Sequence, residues 1–196
     1  MRIIGGSAAG TILNVPKGFD VRPTPDLVRQ AIFNSLGPRV LEAAVLELFG
    51  GTGALSLECL SRGAARAVCV EKSSRHAQFI RQNLTLARLE NSRLEVRVQD
   101  AFVAVAQLAE SFDIILADPP YGEKNVGRRS TSLAQQLLDD IALPKALRPA
   151  GVFVLGHTKR DTLEAPPWWI ETKVLKHGDS IMRFFVPPTP PPAPAA

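Results

Sequence analysis

The sequence predicts an α/β fold: a mostly parallel, seven-stranded sheet ending in an antiparallel hairpin, with a small N-terminal β arm and a helix ahead of it. Two observations carry this. From residue 45 onward, short apolar runs alternate with helix-length segments, and a βαβα order implies a parallel sheet covered on both faces. The last two runs, at 170–175 and 181–186, have only residues 176–180 between them, a connection too short for a crossover. A chain of 196 residues is long enough for one well-packed domain with a small appendage.

Taken in order, residues 2–4 and 11–13 read as two short strands joined through the glycine-rich stretch 5–10, a hairpin-like arm. Thr24 reads as the N-cap of a helix with Pro25 at its first position and Asp26 near the positive end of the dipole. That helix points Leu27, Val28, Ala31, Ile32 and Leu36 at the core and stops at Gly37-Pro38. Strands then follow at 45–49, 67–70, 94–98, 112–117 and 152–155, with helices at 53–62, 74–88, 101–109 and about 130–146, and a weak one near 159–164. The expected divisions are an arm and helix over 1–38, a main domain over 39–186, and a disordered proline-rich tail over 187–196.

Composition sets broad limits. With 45% hydrophobic and 21% charged residues the chain is an ordinary globular protein, and no apolar run reaches the roughly 20 residues that span a bilayer. The N-terminus is too weakly apolar for a secretory segment, so a cytoplasmic protein is expected. A net charge of +4 is compatible with a polyanionic partner without requiring one. Cys59 and Cys69 read as reduced thiols, and neither they nor His76, His157 and His177 show metal-ligand spacing, so no metal site is expected. Trp168 and Trp169 read as packing residues, and Arg75, Arg81 and Arg88 as the outer face of a helix.

The chemistry concentrates at the predicted carboxyl ends of the strands. Glu47, Phe49, Gly50, Gly51 and Gly53 lie at the first strand-to-helix junction, where glycines let backbone approach a ligand and the helix start presents free N–H groups. Glu71, followed by Lys72, closes the next strand and suits two ribose hydroxyls. Asp100, followed by Ala101, suits an exocyclic adenine amine. Taken alone, the loop fits either NAD or S-adenosylmethionine. Two points favour the methyl donor: Ser56 stands where a dinucleotide loop has its third glycine, and Glu47 would repel a pyrophosphate but attract an ammonium group. The hairpin ending points the same way. It is the pattern of a Rossmann-like class I methyltransferase fold, whereas a dehydrogenase sheet continues with another crossover.

At the end of the fourth strand stands Asp118-Pro119-Pro120-Tyr121. An exocyclic amine is a poor nucleophile because its lone pair is delocalised into the ring. The Asp118 carboxylate and the Pro119 carbonyl can accept its two N–H bonds and leave the lone pair facing a methyl donor, while Pro120 limits how that carbonyl turns. Tyr121 can stack on the base. The motif alone leaves guanine and adenine both open. The loop that follows, with Lys124, Arg128 and Arg129, suits either a mobile lid that meets phosphates or a solvated turn.

With these residues quoted, the chain resembles the bacterial 16S ribosomal RNA guanine-N2 methyltransferase family (RsmD-like). The resemblance is carried by MRIIGG, the stretch from Val21 to Asn34 with its RPT-x-D-x-V-R-x-A-x-F-N pattern, LELFGGTGALSLECLSRGA, VEKS and DPPY. It implies S-adenosyl-L-methionine as donor, a guanine exocyclic amine of 16S rRNA as acceptor, and action on an assembled or assembling 30S ribosomal subunit. It also implies that Arg22 and Thr24 lie near the donor's methionine end. In two places the chain departs from the family: Glu47 where Asp is common, and Ala9-Gly10-Thr11 where a basic step is common. RNA contact is therefore expected to lean on Arg2, Arg22, Arg29, Lys124, Arg128 and Arg129. The sequence carries no oligomer signal, and a monomer is the default.

Overall fold

A computed structural model of the chain describes residues 1–16, 24–120 and 129–188. Seven strands form one sheet: β1 (Ala44–Leu48), β2 (Arg66–Glu71), β3 (Leu94–Val98), β4 (Phe112–Ala117), β5 (Leu147–Thr158), β6 (Ile170–His177) and β7 (Ser180–Val186). Their order is β3-β2-β1-β4-β5-β7-β6. The pairs among β1 to β5 are parallel, and β7 is antiparallel to both β5 and β6. The order reverses between β1 and β4, the switch point at which open α/β sheets form a crevice outside the carboxyl ends of their strands.

Among the described residues five α-helices cover the sheet: α1 (Asp26–Leu36), α2 (Ala54–Ser61), α3 (Ser74–Leu86), α4 (Ala101–Ala106) and α5 (Leu133–Asp139). Side chains of each strand alternate between two cores. On one face Val45, Ile114, Leu116 and Val154 pack with the arm and α1 to α3; on the other Leu46, Leu48, Ile115 and Phe153 pack with α4, α5 and Trp169. Double coverage is why all five residues of β1 are buried and why the run reads as continuously apolar.

Several elements are shorter or differently built than expected. The weak helix near 159–164 does not form: Thr158 closes a turn, its Oγ1 accepting from the Arg160 N–H at 3.1 Å and its carbonyl from the Asp161 N–H at 3.1 Å. Helix α5 ends at Asp139, before the 3-10 turn Pro144–Ala146, since a proline within a helix removes a donor and clashes with the preceding turn. Trp168 and Trp169 are packing residues, as expected; both indole N–H groups donate to the Leu138 carbonyl, at 3.0 and 3.1 Å. Both cysteines are free and buried. Among the described residues no helix is long and apolar enough to cross a membrane. Of the tail expected to be disordered over 187–196, residues 189–196 lie outside the described residues.

The arm is a hairpin closed by an Arg2–Ile12 bridge, with the Ile3 N–H donating to the Thr11 carbonyl at 3.0 Å. It is pinned to α2 by the fully buried Glu58, whose carboxylate accepts from the Ile4 and Gly5 N–H groups at 2.7 and 2.8 Å and from Arg62 Nε at 2.7 Å. Gly6, at φ +81°, lies so close that a Cβ there would meet the Ser61 carbonyl oxygen at 1.9 Å. Helix α1 differs from expectation at both its cap and its face. Pro25 occupies the N-cap and no side chain caps the helix, because the Thr24 hydroxyl is engaged elsewhere. Leu27 is 65% exposed, and Phe33 takes the core position beneath the Arg62 guanidinium, 4.9 Å from the ring centre.

Candidate active site

The crevice at the carboxyl ends of β1 to β4 holds a cavity of about 630 Å³. One wall is formed by Phe49, Gly51, Glu71, Lys72, Asp100 and Ala101, and the other by Asp118, Pro119, Pro120 and Leu133. The loop after β1 reaches this position through three residues at positive φ: Phe49 (60°), Gly51 (55°) and Gly53 (74°). Glycine is the residue that adopts such angles without steric cost. Gly50 also packs directly on β2, where a Cβ would stand 2.4 Å from Cys69 Sγ.

Glu71 organises this loop. Its carboxylate accepts from the Gly51 N–H at 2.7 Å and from the Ser73 N–H at 2.8 Å. Each oxygen keeps a further lone-pair direction, so an 8% exposed carboxylate held by two amides still has acceptors to offer. Asp100 caps α4 by accepting from the Phe102 N–H at 3.0 Å, and the Lys72 ammonium stands 3.2 Å from its other oxygen. That hydrogen bond from Lys72 holds the Asp100 carboxyl below its ordinary range. Phe102 meets the Phe49 ring edge-on at 6.2 Å and closes the side of the cavity.

Across the crevice, Asp118 continues from β4 as a half-buried carboxylate. Burial raises its pKa, and the Thr24 hydroxyl, donating to Oδ2 at 2.5 Å, opposes that rise. Pro119 is buried and Pro120 exposed at the rim. Tyr121 lies outside the described residues, as do Arg22, Lys124 and Arg128.

Other expected site residues sit away from the cavity. Glu47 does not line it; the carboxylate is 3% exposed beneath the loop and accepts from the Ser56 N–H at 2.9 Å and the Cys69 thiol at 3.4 Å. Its burial pushes the pKa up to about 7. The carboxylate is thus tied to the first turn of α2 and to β2.

Arg29 cannot meet a phosphate. It is fully buried, with Nη2 on Asp26 at 2.9 Å and on the Arg2 carbonyl, and with Nη1 on the Thr24 carbonyl at 3.4 Å. Arg2 remains 68% exposed, 3.7 Å from Asp26. Arg129 is paired with Asp139 at 2.7 Å and stands 3.7 Å from Glu164.

Sequence reasoning missed Gly156, where a Cβ would stand 2.3 Å from Asp118 Oδ1. Its signal was present: a glycine directly after the apolar run 152–155, within what is strand β5, marks a close approach. It also missed His76, which lines the cavity from α3 with Nδ1 3.6 Å from Glu71.

A sheet of order β3-β2-β1-β4-β5-β7-β6 with β7 antiparallel, carrying its crevice at the switch point, defines the Rossmann-like class I methyltransferase fold. The chain belongs to the family described as "Conserved hypothetical protein 95", whose profile matches residues 1–186. It is 40% identical over 121 residues to "Ribosomal RNA small subunit methyltransferase D" of Escherichia coli K12, a match spanning 62% of this chain and 60% of that relative. The protein of the same name from Haemophilus influenzae is 29% identical over 187 residues, covering 94% of this chain and 93% of the relative. Among solved structures, the T. thermophilus 16S rRNA N2 G1207 methyltransferase in complex with AdoMet and guanosine is 27% identical. It superposes with a TM-score of 0.65 over 87% of this chain and 44% of that one.

Proposed function

We propose that this protein transfers a methyl group from S-adenosylmethionine to the exocyclic N2 of a guanine in 16S rRNA, acting as a monomer on an assembled or assembling 30S subunit. One observation carries the reading: the Asp118-Pro119 corner shares a single cavity with the Glu71 and Asp100 carboxylates. Its volume of about 630 Å³ lies within the roughly 300–1,000 Å³ of small-molecule sites. The names of the relatives and of the solved structure with AdoMet and guanosine support the choice of donor and acceptor.

The residues present fit the donor. Glu71 offers acceptors for a ribose, Asp100 and the Ala101 backbone face an adenine, and Phe49 and Phe102 supply apolar ring walls. Lys72, paired to Asp100, keeps that acid ionised and hence an acceptor. When bound, S-adenosylmethionine supplies an activated methyl group on a cationic sulfur. The chain's own contribution is position. Asp118 and the Pro119 carbonyl accept the amine N–H groups, Pro120 restrains that carbonyl, and Tyr121 supplies the stacking ring. Orientation of bound reactants of this kind contributes several kcal/mol, up to roughly 7–11 in the best cases. The methylated amine loses its proton readily, so no strong base is needed. Of the cations expected to meet RNA, Arg2 and Arg129 are described and exposed.

Labelled-methyl transfer to 30S particles and to protein-free 16S RNA tests the proposal. Incorporation into guanine of the particle, lost in Asp118→Ala, is the expected result. Incorporation into adenine, or full activity of Asp118→Ala, overturns it.

A further inference from the structure

We propose that Thr24 and Gly156 are positioning residues that seat the Asp118 carboxylate from two sides. Thr24, at the foot of α1, donates its hydroxyl to Oδ2 at 2.5 Å across 94 residues of sequence. Gly156, on β5, offers bare backbone to Oδ1: a Cβ there would fall 2.3 Å from Oδ1, 2.9 Å from Cγ and 3.2 Å from Met182 Sδ of β7. Real Cβ atoms do not approach an oxygen that closely, so any side chain at 156 turns the carboxylate out of its seat.

Thr24 is itself fixed. The buried Arg29 guanidinium holds its carbonyl at 3.4 Å while ion-pairing with Asp26 and binding the Arg2 carbonyl. The arm, α1 and the reactive corner are thereby one connected piece. A carboxylate offers about four lone-pair directions; Thr24 takes one, leaving acceptors directed at an incoming amine. Because the in-line geometry of methyl transfer depends on where those acceptors lie, the seat acts on the chemical step.

The kinetic arm of the test rests on the methyl-transfer reading. In single turnover at saturating S-adenosylmethionine, Thr24→Val and Gly156→Ala are each expected to lower the rate at least 10-fold. Thr24→Ser, which restores the hydroxyl, is expected to restore the rate to within 3-fold of the parent. Since both residues act through one carboxylate, the double variant Thr24→Val/Gly156→Ala should lose less than the product of the two single losses.

A second arm needs no acceptor substrate. The Asp118 carboxyl carbon is followed by NMR through a pH titration and assigned with Asp118→Asn. Among the described residues the titratable groups sharing its cavity are Glu71, Lys72, His76 and Asp100, whereas Gly156 and Met182 bring none. Loss of a hydrogen bond to the charged form moves the midpoint upward, so Thr24→Val should titrate at higher pH than the parent and Thr24→Ser should match it.

An unmoved midpoint in Thr24→Val, or a serine variant that behaves like valine, overturns the inference whatever the acceptor proves to be. If Thr24→Val shows the upward midpoint and the parent protein methylates no guanine, the functional reading is refuted and the seat stands.

Discussion

Glu71→Gln is the most direct way to ask whether the donor loop is held as the geometry indicates. The carboxylate accepts two backbone N–H groups, Gly51 at 2.7 Å and Ser73 at 2.8 Å. Glutamine has one acceptor oxygen, so it can keep one of these bonds, and its NH₂ then confronts the other N–H donor. A hydrogen bond to a charged group contributes roughly 1.5–3 kcal/mol. The variant therefore has to restore that much loop order when donor binds, which corresponds to about 10- to 150-fold in affinity. Isothermal titration with S-adenosylhomocysteine measures it directly. The far-UV spectrum should not change, because Gly51 and Ser73 lie outside the helices and strands of the sheet. An affinity within twofold of the parent would refute the role given to Glu71.

The remaining predictions concern stability. Glu58→Ala leaves the Ile4 and Gly5 amides and Arg62 without their acceptor, and a loss of roughly 2–4 kcal/mol is expected in denaturant unfolding; an unchanged midpoint contradicts the anchoring of the arm. Gly6→Ala combines a φ of +81° with a clash against the Ser61 carbonyl and should cost more than the roughly 1–3 kcal/mol of backbone strain alone, read as a lower Tm. Burial raises the Glu47 pKa from 4.5 to about 7, so the folded state binds this proton more tightly than the unfolded chain. That contribution is complete below the unfolded pKa and is lost as pH rises through 7, about 3 kcal/mol in all. Unfolding free energies at pH 4.5 and 7.5 should therefore fall more steeply in the parent than in Glu47→Gln; parallel pH profiles contradict the assignment.

Much of the fold was legible because its strongest signals are local and periodic. Four of the five strands of the parallel part are mainly apolar runs, edge strand β3 alternates apolar and charged residues, and the five-residue gap at 176–180 allowed only a hairpin. The carboxyl-end acids were legible for the same reason: topology sends the end of every parallel strand to one edge, so Glu71, Asp100 and Asp118 had to converge.

What escaped was the use of polar groups over long separations. Thr24 has every property of an N-cap, and nothing nearby in sequence reveals that its hydroxyl serves a carboxylate 94 residues away. Arg29 was expected to meet RNA, but it and Glu58 are buried, because the arm brings backbone amides and carbonyls down onto them. Glu47 stands beside the loop as expected, but its burial against α2 and β2 was not legible. Periodicity reports which way a helix faces on average. It does not report which partner a buried charge finds.

Nucleoside mass spectrometry of 16S rRNA from cells with and without this protein tests the central claim most directly. The account predicts one N2-methylguanosine that disappears in its absence and returns with the parent protein but not with Asp118→Ala. Unchanged guanine methylation, or a lost methyladenosine in its place, would contradict it.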